Sequence, residues 1–182
     1  EYIEIYNRSS KNLNLTDWTI HDASGSSGPC QNLTLTPGSY LIICSTSNVA
    51  DLSVFGNAIG IRSFPSLNNT GDNLTLYDNN NQKIDEVNYS DSWYHDPDKT
   101  SNGYSLERID QNFPCPTGAN WSASNSVIGG TPGSINSING IYADNEAPLI
   151  KTAYIYDPQT IMLFFDEPMD ESTLSLEQNY SV

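Results

Sequence analysis

Basic residues are scarce in this 182-residue chain: 7 Lys and Arg stand against 22 Asp and Glu, for a formal net charge of −15. Phosphate backbones repel such a surface, and holding them takes clustered Lys and Arg. No cluster is present, so nucleic acid is excluded as a partner, and an anionic membrane surface is disfavoured on the same ground. Long hydrophobic runs are missing too. No stretch of 18 apolar residues exists, which leaves no transmembrane helix and no direct insertion into a bilayer. No leader opens the sequence, which starts at Glu1 within a strand-like pattern. It reads as a piece of a longer exported precursor.

Catalytic raw material is equally thin. There are two histidines, His21 and His95, and neither has a sequence neighbour that suggests a triad. The Gly-Lys-Ser/Thr loop, the Gly-x-Ser-x-Gly elbow and His-Glu-x-x-His are all absent. A strand-end or solvated role suits both histidines, and the chain is not expected to be an enzyme. Of three cysteines, none forms a Cys-x-x-Cys pair, which removes the usual zinc frameworks. Cys44 ends the apolar run Tyr40-Leu41-Ile42-Ile43 and reads as a small buried hydrophobe. Cys30 and Cys115 sit beside prolines in loop-like sequence. In an exported protein such loop cysteines are the better disulfide candidates, so Cys30–Cys115 is the favoured pairing. Three free thiols in a reducing compartment are the alternative.

What is present is short, alternating and punctuated. Charged residues are only 16%, and Asn, Ser and Thr supply the polarity instead. Tyr2 to Tyr6 alternates, with Ile3 and Ile5 on one face and Glu4 on the other. Leu13 and Leu15 resume the apolar face, and Trp18 and Ile20 point inward. Thr36-Pro37-Gly38-Ser39 reads as a type II turn, because Pro fixes the first central φ and Gly accepts the positive one. Tyr40 to Cys44 reads as a fully buried strand. Phe55, Ile59, Ile61 and Phe64 are the expected anchors of the less regular stretch that follows. Leu74 to Tyr77 and Lys83 to Tyr89 pair through a turn at Asp78-Asn79-Asn80-Asn81, where Asn tolerates the left-handed region. Ser105 to Ile109 is a further strand. Many short strands with frequent turn signals argue an all-β sandwich.

Two patterns are candidate sites. Asp91, Asp96 and Asp98 fall in one loop, followed by Ser101 and Asn102, and hard cations such as calcium take converging loop oxygens. Without EF-hand spacing or a glycine at the required place, a solvated acidic loop is the preferred reading and calcium the alternative. Trp93 and Tyr94 lie in the same loop; exposed aromatics stack on sugars or anchor a protein partner, unless they fold back on the sandwich. Glu107-Arg108 reads as a strand pair making a weak surface ion pair.

These pieces resemble, in order and spacing, the lamin tail domain. The likeness rests on Glu1–Asn7, Leu15-Thr16-Asp17-Trp18, Leu35–Tyr40, Gly71–Leu76, Ile84–Val87, Gly103–Arg108, Asn120-Trp121 and Gly130-Thr131-Pro132-Gly133 with Asn136-Ser137. The family's opening Ile-Asn-Glu-like strand is absent. Residues 149–182, with Phe165-Asp166-Glu167-Pro168-Met169-Asp170 and Asn179-Tyr180, resemble the start of a bacterial S-layer-type immunoglobulin-like module. The resemblance implies an immunoglobulin-like β-sandwich over 1–138, a linker over 139–148, and an incomplete second module over 149–182. The Gly-Thr-Pro-Gly ending is similar to that of bacterial, exported members. That implies a non-catalytic interaction or adhesion module outside the cell, on its surface or in the periplasm, with a protein or a surface glycan as partner. The alternative is a calcium- or carbohydrate-binding accessory domain of a secreted hydrolase.

Overall fold

The computed structural model describes residues 1–113, 118–143, 147–167, 169 and 171–179. It divides into two units, Glu1–Tyr142 and Ala143–Val182. In the first unit the strands are β1 (Tyr2–Tyr6), β2 (Leu13–Asn14), β3 (Thr19–His21), β4 (Thr34–Leu35), β5 (Tyr40–Ser45), β6 (Ala58–Ile61), β7 (Gly71–Tyr77), β8 (Lys83–Ser90), β9 (Leu106–Arg108) and β10 (Trp121–Ala123). Single helical turns, α1 (Val49–Leu52) and α2 (Pro97–Thr100), interrupt them.

Period-two alternation decides how these strands stack. One sheet has the order β1-β5-β6, with β5 antiparallel to β1 and parallel to β6. Its register lines Ile3, Ile43 and Ile59 in one row and sets Ile5 beside Leu41. A second sheet, β3-β7-β8, is antiparallel throughout and places Ile20 beside Leu76. The short pair β2-β4 adds Leu13 and Leu35. All these side chains join one core with Leu15, Trp18, Cys30 and Ile61. Each fully buried Leu or Ile contributes about 1.5–3 kcal/mol through area removed from water. The result is an all-β, immunoglobulin-like sandwich. Phe55, expected as a core anchor, is instead 44% exposed, whereas Ile59, Ile61 and Phe64 pack on the core.

β5 is buried on both faces. Leu41 and Ile43 face the core, yet Ile42 and Cys44 are equally inaccessible. Their neighbours on that second face are Glu4 and Tyr2 of β1. There the exit segment around Gly130–Gly133 comes close: Gly133 N–H donates to the Glu4 carboxylate, and a Cβ on Gly130 would lie 2.9 Å from the Tyr2 hydroxyl. A strand covered on both sides reads as an unbroken apolar run, which is the Leu41–Cys44 pattern.

The turns follow local chemistry. Gly38 has φ +72°, and Ser39 N–H donates to Thr36 O at 3.2 Å, as the type II turn requires. Asp78 Oδ1 accepts from Asn80 N–H at 2.8 Å and Gln82 N–H at 2.7 Å, with Asn81 at φ 59°. Residues 139–142, expected in a linker, belong to the first unit. Gly140 N–H donates to Ile109 O at 2.9 Å, Tyr142 N–H donates to Asp110 Oδ2 at 3.2 Å, and the Tyr142 ring meets Phe113 edge-on at 4.8 Å.

In the second unit β11 (Ile150–Asp157) and β12 (Thr160–Phe165) form an antiparallel hairpin, followed by one helical turn, α3 (Glu171–Leu174). Asp157 closes the hairpin turn by accepting from Gln159 N–H at 2.8 Å. Pro168, Asp170 and Tyr180 of the S-layer-like signature lie outside the described residues.

Candidate functional site

The loop after β8 carries most of the residues singled out in the sequence. A 3-10 turn, Asp91–Tyr94, opens it, and Ser90 Oγ accepts from Ser92 N–H at 3.3 Å. His95 closes that turn in the left-handed region at φ 52°. Asp96 then caps α2: its Oδ1 accepts from Asp98 N–H at 3.0 Å, and Pro97 occupies the first helical position. Cap chemistry therefore accounts for Asp96. Among the described residues no group of three or more His, Cys, Asp or Glu converges as a metal would need, so Asp91, Asp96 and Asp98 are not brought together as a calcium cage.

Trp93 and Tyr94 are half-buried and turn back onto the domain. The Trp93 ring lies 6.2 Å from that of Trp121, and a Cβ on Gly118 would collide with it. Tyr94 hydroxyl donates to Tyr104 O at 2.9 Å, and burial raises its pKa. Lys99 fastens the same loop from beneath, donating to Ser124 O and to Asn125 Oδ1, each at 2.9 Å, with its ammonium 5.4 Å from the Tyr104 ring centre.

His21 ends β3. Its Nε2 lies 3.0 Å from Ser26 Oγ and 3.1 Å from Thr19 Oγ1, and its ring packs 4.5 Å from that of Tyr77. Among the described residues no carboxylate pairs with it. Beside it two adjoining clefts, of about 270 and 240 Å³, share Asp22, Ser24 and Ser66. Asp22 Oδ1 accepts from Ser24 N–H, Ser24 Oγ and Gly25 N–H, which holds its carboxyl below the usual range. Cys30 is a buried free thiol whose pKa burial pushes up, so it is not poised as a nucleophile. Cys115, its expected partner, lies outside the described residues.

The polar centre that sequence reasoning missed joins the two ends of the domain. Glu107, expected at the surface with Arg108, is only 4% exposed. Its Oε1 accepts from Thr131 Oγ1 at 2.7 Å. Its Oε2 accepts from Ser137 N–H at 2.8 Å and Ser137 Oγ at 2.7 Å. Arg108 turns elsewhere, 3.8 Å from Asp85 and over the Trp121 ring at 5.7 Å. Together with the Glu4–Gly133 bond, two carboxylates from β1 and β9 clamp residues 131–137. Gly133 fits because its φ is +74° and a Cβ would lie 2.5 Å from Phe55 O.

Burial pushes the Glu4 carboxyl up to about 7; the Gly133 N–H opposes the rise, and the Glu107 charge adds to it. A raised carboxyl pKa means that the native state keeps a proton the unfolded chain has released above its value near 4.5. Stability is therefore expected to fall as pH rises from about 4.5 to about 7, by about 1–2 kcal/mol after allowance for solvent screening. Urea titrations of the wild type and Glu4→Gln across that range check this. The Glu4→Gln curve is expected to be the flatter one, and parallel curves contradict the assignment.

The family model described as Lamin Tail Domain matches residues 1–91, half of the chain. No curated protein and no solved structure matches it. The β1–β8 sandwich lies within the matched residues, while the Glu107 contacts extend the same unit beyond them. The chain belongs to the lamin tail domain family.

Proposed function

We propose that this chain is a non-catalytic interaction module of an exported bacterial cell-surface protein. The observation that carries the reading is the family match over the β1–β8 sandwich, because the family is one of immunoglobulin-like protein-interaction domains. Three side chains of the principal loop are engaged in holding it: Asp96 caps α2, Tyr94 bonds the backbone, and Trp93 packs on Trp121. The likeness of residues 149–182 to an S-layer-type module supports a surface location, with a protein as partner. A second reading, a carbohydrate-binding accessory domain, is favoured by the clefts around Asp22, Ser24 and Ser66, whose carboxylate and hydroxyls suit a polyol, with Phe64 at the wall of one.

Photo-cross-linking of the purified chain on intact cells of its source organism tests the proposal. The expected result is saturable adducts with one or a few surface proteins, displaced by unlabelled chain. Adducts that do not saturate contradict it, as does hydrolysis of esters, glycosides or peptides by the purified chain above the buffer rate. Displacement by soluble glycans, lost in Asp22→Ala, favours the second reading over the first.

A further inference from the structure

Four asparagines of the chain precede Gly or Ser: Asn102-Gly103, Asn125-Ser126, Asn136-Ser137 and Asn139-Gly140. A small following residue leaves its backbone nitrogen uncovered, and glycine leaves it most open because it has no Cβ. That nitrogen can attack the asparagine side chain. It bonds to Cγ, and ammonia leaves with Nδ2 and the displaced N–H proton, so a cyclic imide remains. Water then opens the ring. Opening at the side-chain carbonyl gives aspartate. Opening at the main-chain carbonyl gives isoaspartate, in which the chain runs through Cβ and Cγ. Water is the sole co-reactant, and nothing is oxidised or reduced.

A backbone N–H that donates in a hydrogen bond is held away from the preceding side chain, and the fold holds three of the four. Ser126 N–H donates to Ser124 Oγ at 3.1 Å, Ser137 N–H to Glu107 Oε2 at 2.8 Å, and Gly140 N–H to Ile109 O at 2.9 Å. Gly103 N–H makes no hydrogen bond among the described residues. Asn102 and Gly103 are both exposed, just beyond the single turn α2. Nothing lies within 4 Å of a Cβ built on Gly103, so the chain has room to turn there. Asn102 is itself loosely tied. Its N–H reaches Lys99 O at a long 3.4 Å, and its side chain donates through Nδ2 to Asp98 O. That bond engages the nitrogen that departs and leaves the side-chain carbonyl open to attack.

We propose that Asn102 is a modification site: in the folded protein it deamidates to aspartate and isoaspartate ahead of the other three asparagines that precede Gly or Ser. The product no longer donates to Asp98 O, and it adds a negative charge to a chain that already carries −15. In the isoaspartyl form an extra methylene enters the chain two residues before Tyr104, whose carbonyl receives the Tyr94 hydroxyl. The loop that carries Trp93 and Tyr94 is thus the place where the first unit changes first with age. The inference rests on this loop alone and is independent of what the domain binds.

Timed incubation of the 182-residue chain in mildly alkaline buffer is the test, read by peptide mass mapping and by enzymatic methylation of isoaspartyl carboxylates. The expected result is conversion at residue 102 at least about fivefold faster than at 125, 136 or 139, since each of those must first open a hydrogen bond. Asn102→Ser removes the early methylation signal. In concentrated urea the bond between Gly140 N–H and Ile109 O is gone, and Asn139 is expected to approach the rate of Asn102, because both then precede glycine in an open chain. Native conversion at 139 as fast as at 102 overturns the proposal. So does an Asn102 that stays intact while the unfolded chain reacts. An equal gap between 102 and 139 in urea overturns it as well, because neighbouring sequence and not the fold then sets the order.

Discussion

Glu107→Ala is expected to lower the unfolding free energy of the first unit by about 3–5 kcal/mol, because hydrogen bonds to a charged group contribute about 1.5–3 kcal/mol each and a buried donor left unpaired adds its desolvation cost. The carboxylate accepts from Thr131 Oγ1, Ser137 N–H and Ser137 Oγ in a site that is 4% exposed. Alanine leaves all three donors without it. Ser137 Oγ still has a neighbour, since it lies 3.1 Å from Ser124 Oγ and accepts from Asn125 N–H at 2.7 Å. The Ser137 N–H is thus the group most exposed to the loss. Glu107→Gln keeps one accepting oxygen and is expected to lose about half as much. Urea unfolding of the three proteins measures this. A change below about 1 kcal/mol for Glu107→Ala would show that residues 131–137 are held by something other than the carboxylates.

Ile43→Ala is expected to cost about 3–4 kcal/mol, within the range of large-to-small changes in closed cores. Ile43 is wholly inaccessible and occupies the middle of the Ile3–Ile43–Ile59 row. Its strand has a neighbour on each side and is covered on both faces, so collapse into the space is resisted and most of the cavity term remains. In a unit of this size each kcal/mol moves the melting temperature by about 2–4 °C. The same change at Phe55, which is 44% exposed, is expected to move it little. Comparable losses at the two positions would contradict the placement of the core on the β3-β7-β8 side of β5.

Local chemistry makes much of this fold legible in the sequence. The alternation of Tyr2–Tyr6 places Ile3 and Ile5 on one face, and the run Tyr40–Cys44 reads as a buried strand, of which Leu41–Cys44 are buried and Tyr40 only partly so. The Pro37-Gly38 turn and the Asp78–Asn81 turn depend on neighbours within four residues, so the sequence states them outright. The candidate site was less legible, because its partners are distant in the chain. Glu107 beside Arg108 looks like a surface pair until Ser137, 30 residues away, is placed on it. A signal was nevertheless present in β9: alternation there puts Glu107 on the face opposite Leu106 and Arg108, and that face is the covered one. The Asp96-Pro97 pair was likewise readable as a helix cap, which competes with its reading as a metal ligand. Trp93 gave no such warning, because its resting place depends on the missing Cβ of Gly118.

The central claim is that carboxylates from β1 and β9 make the exit segment part of the sandwich, so that residues 1–142 open as one unit. Amide hydrogen exchange under native conditions tests it most directly. The account predicts that the Gly133 and Ser137 amides exchange as slowly as those of Ile42 and Ile43, and that all four accelerate together in Glu107→Ala. Rapid exchange at Gly133 and Ser137 beside a fully protected β5 would contradict it.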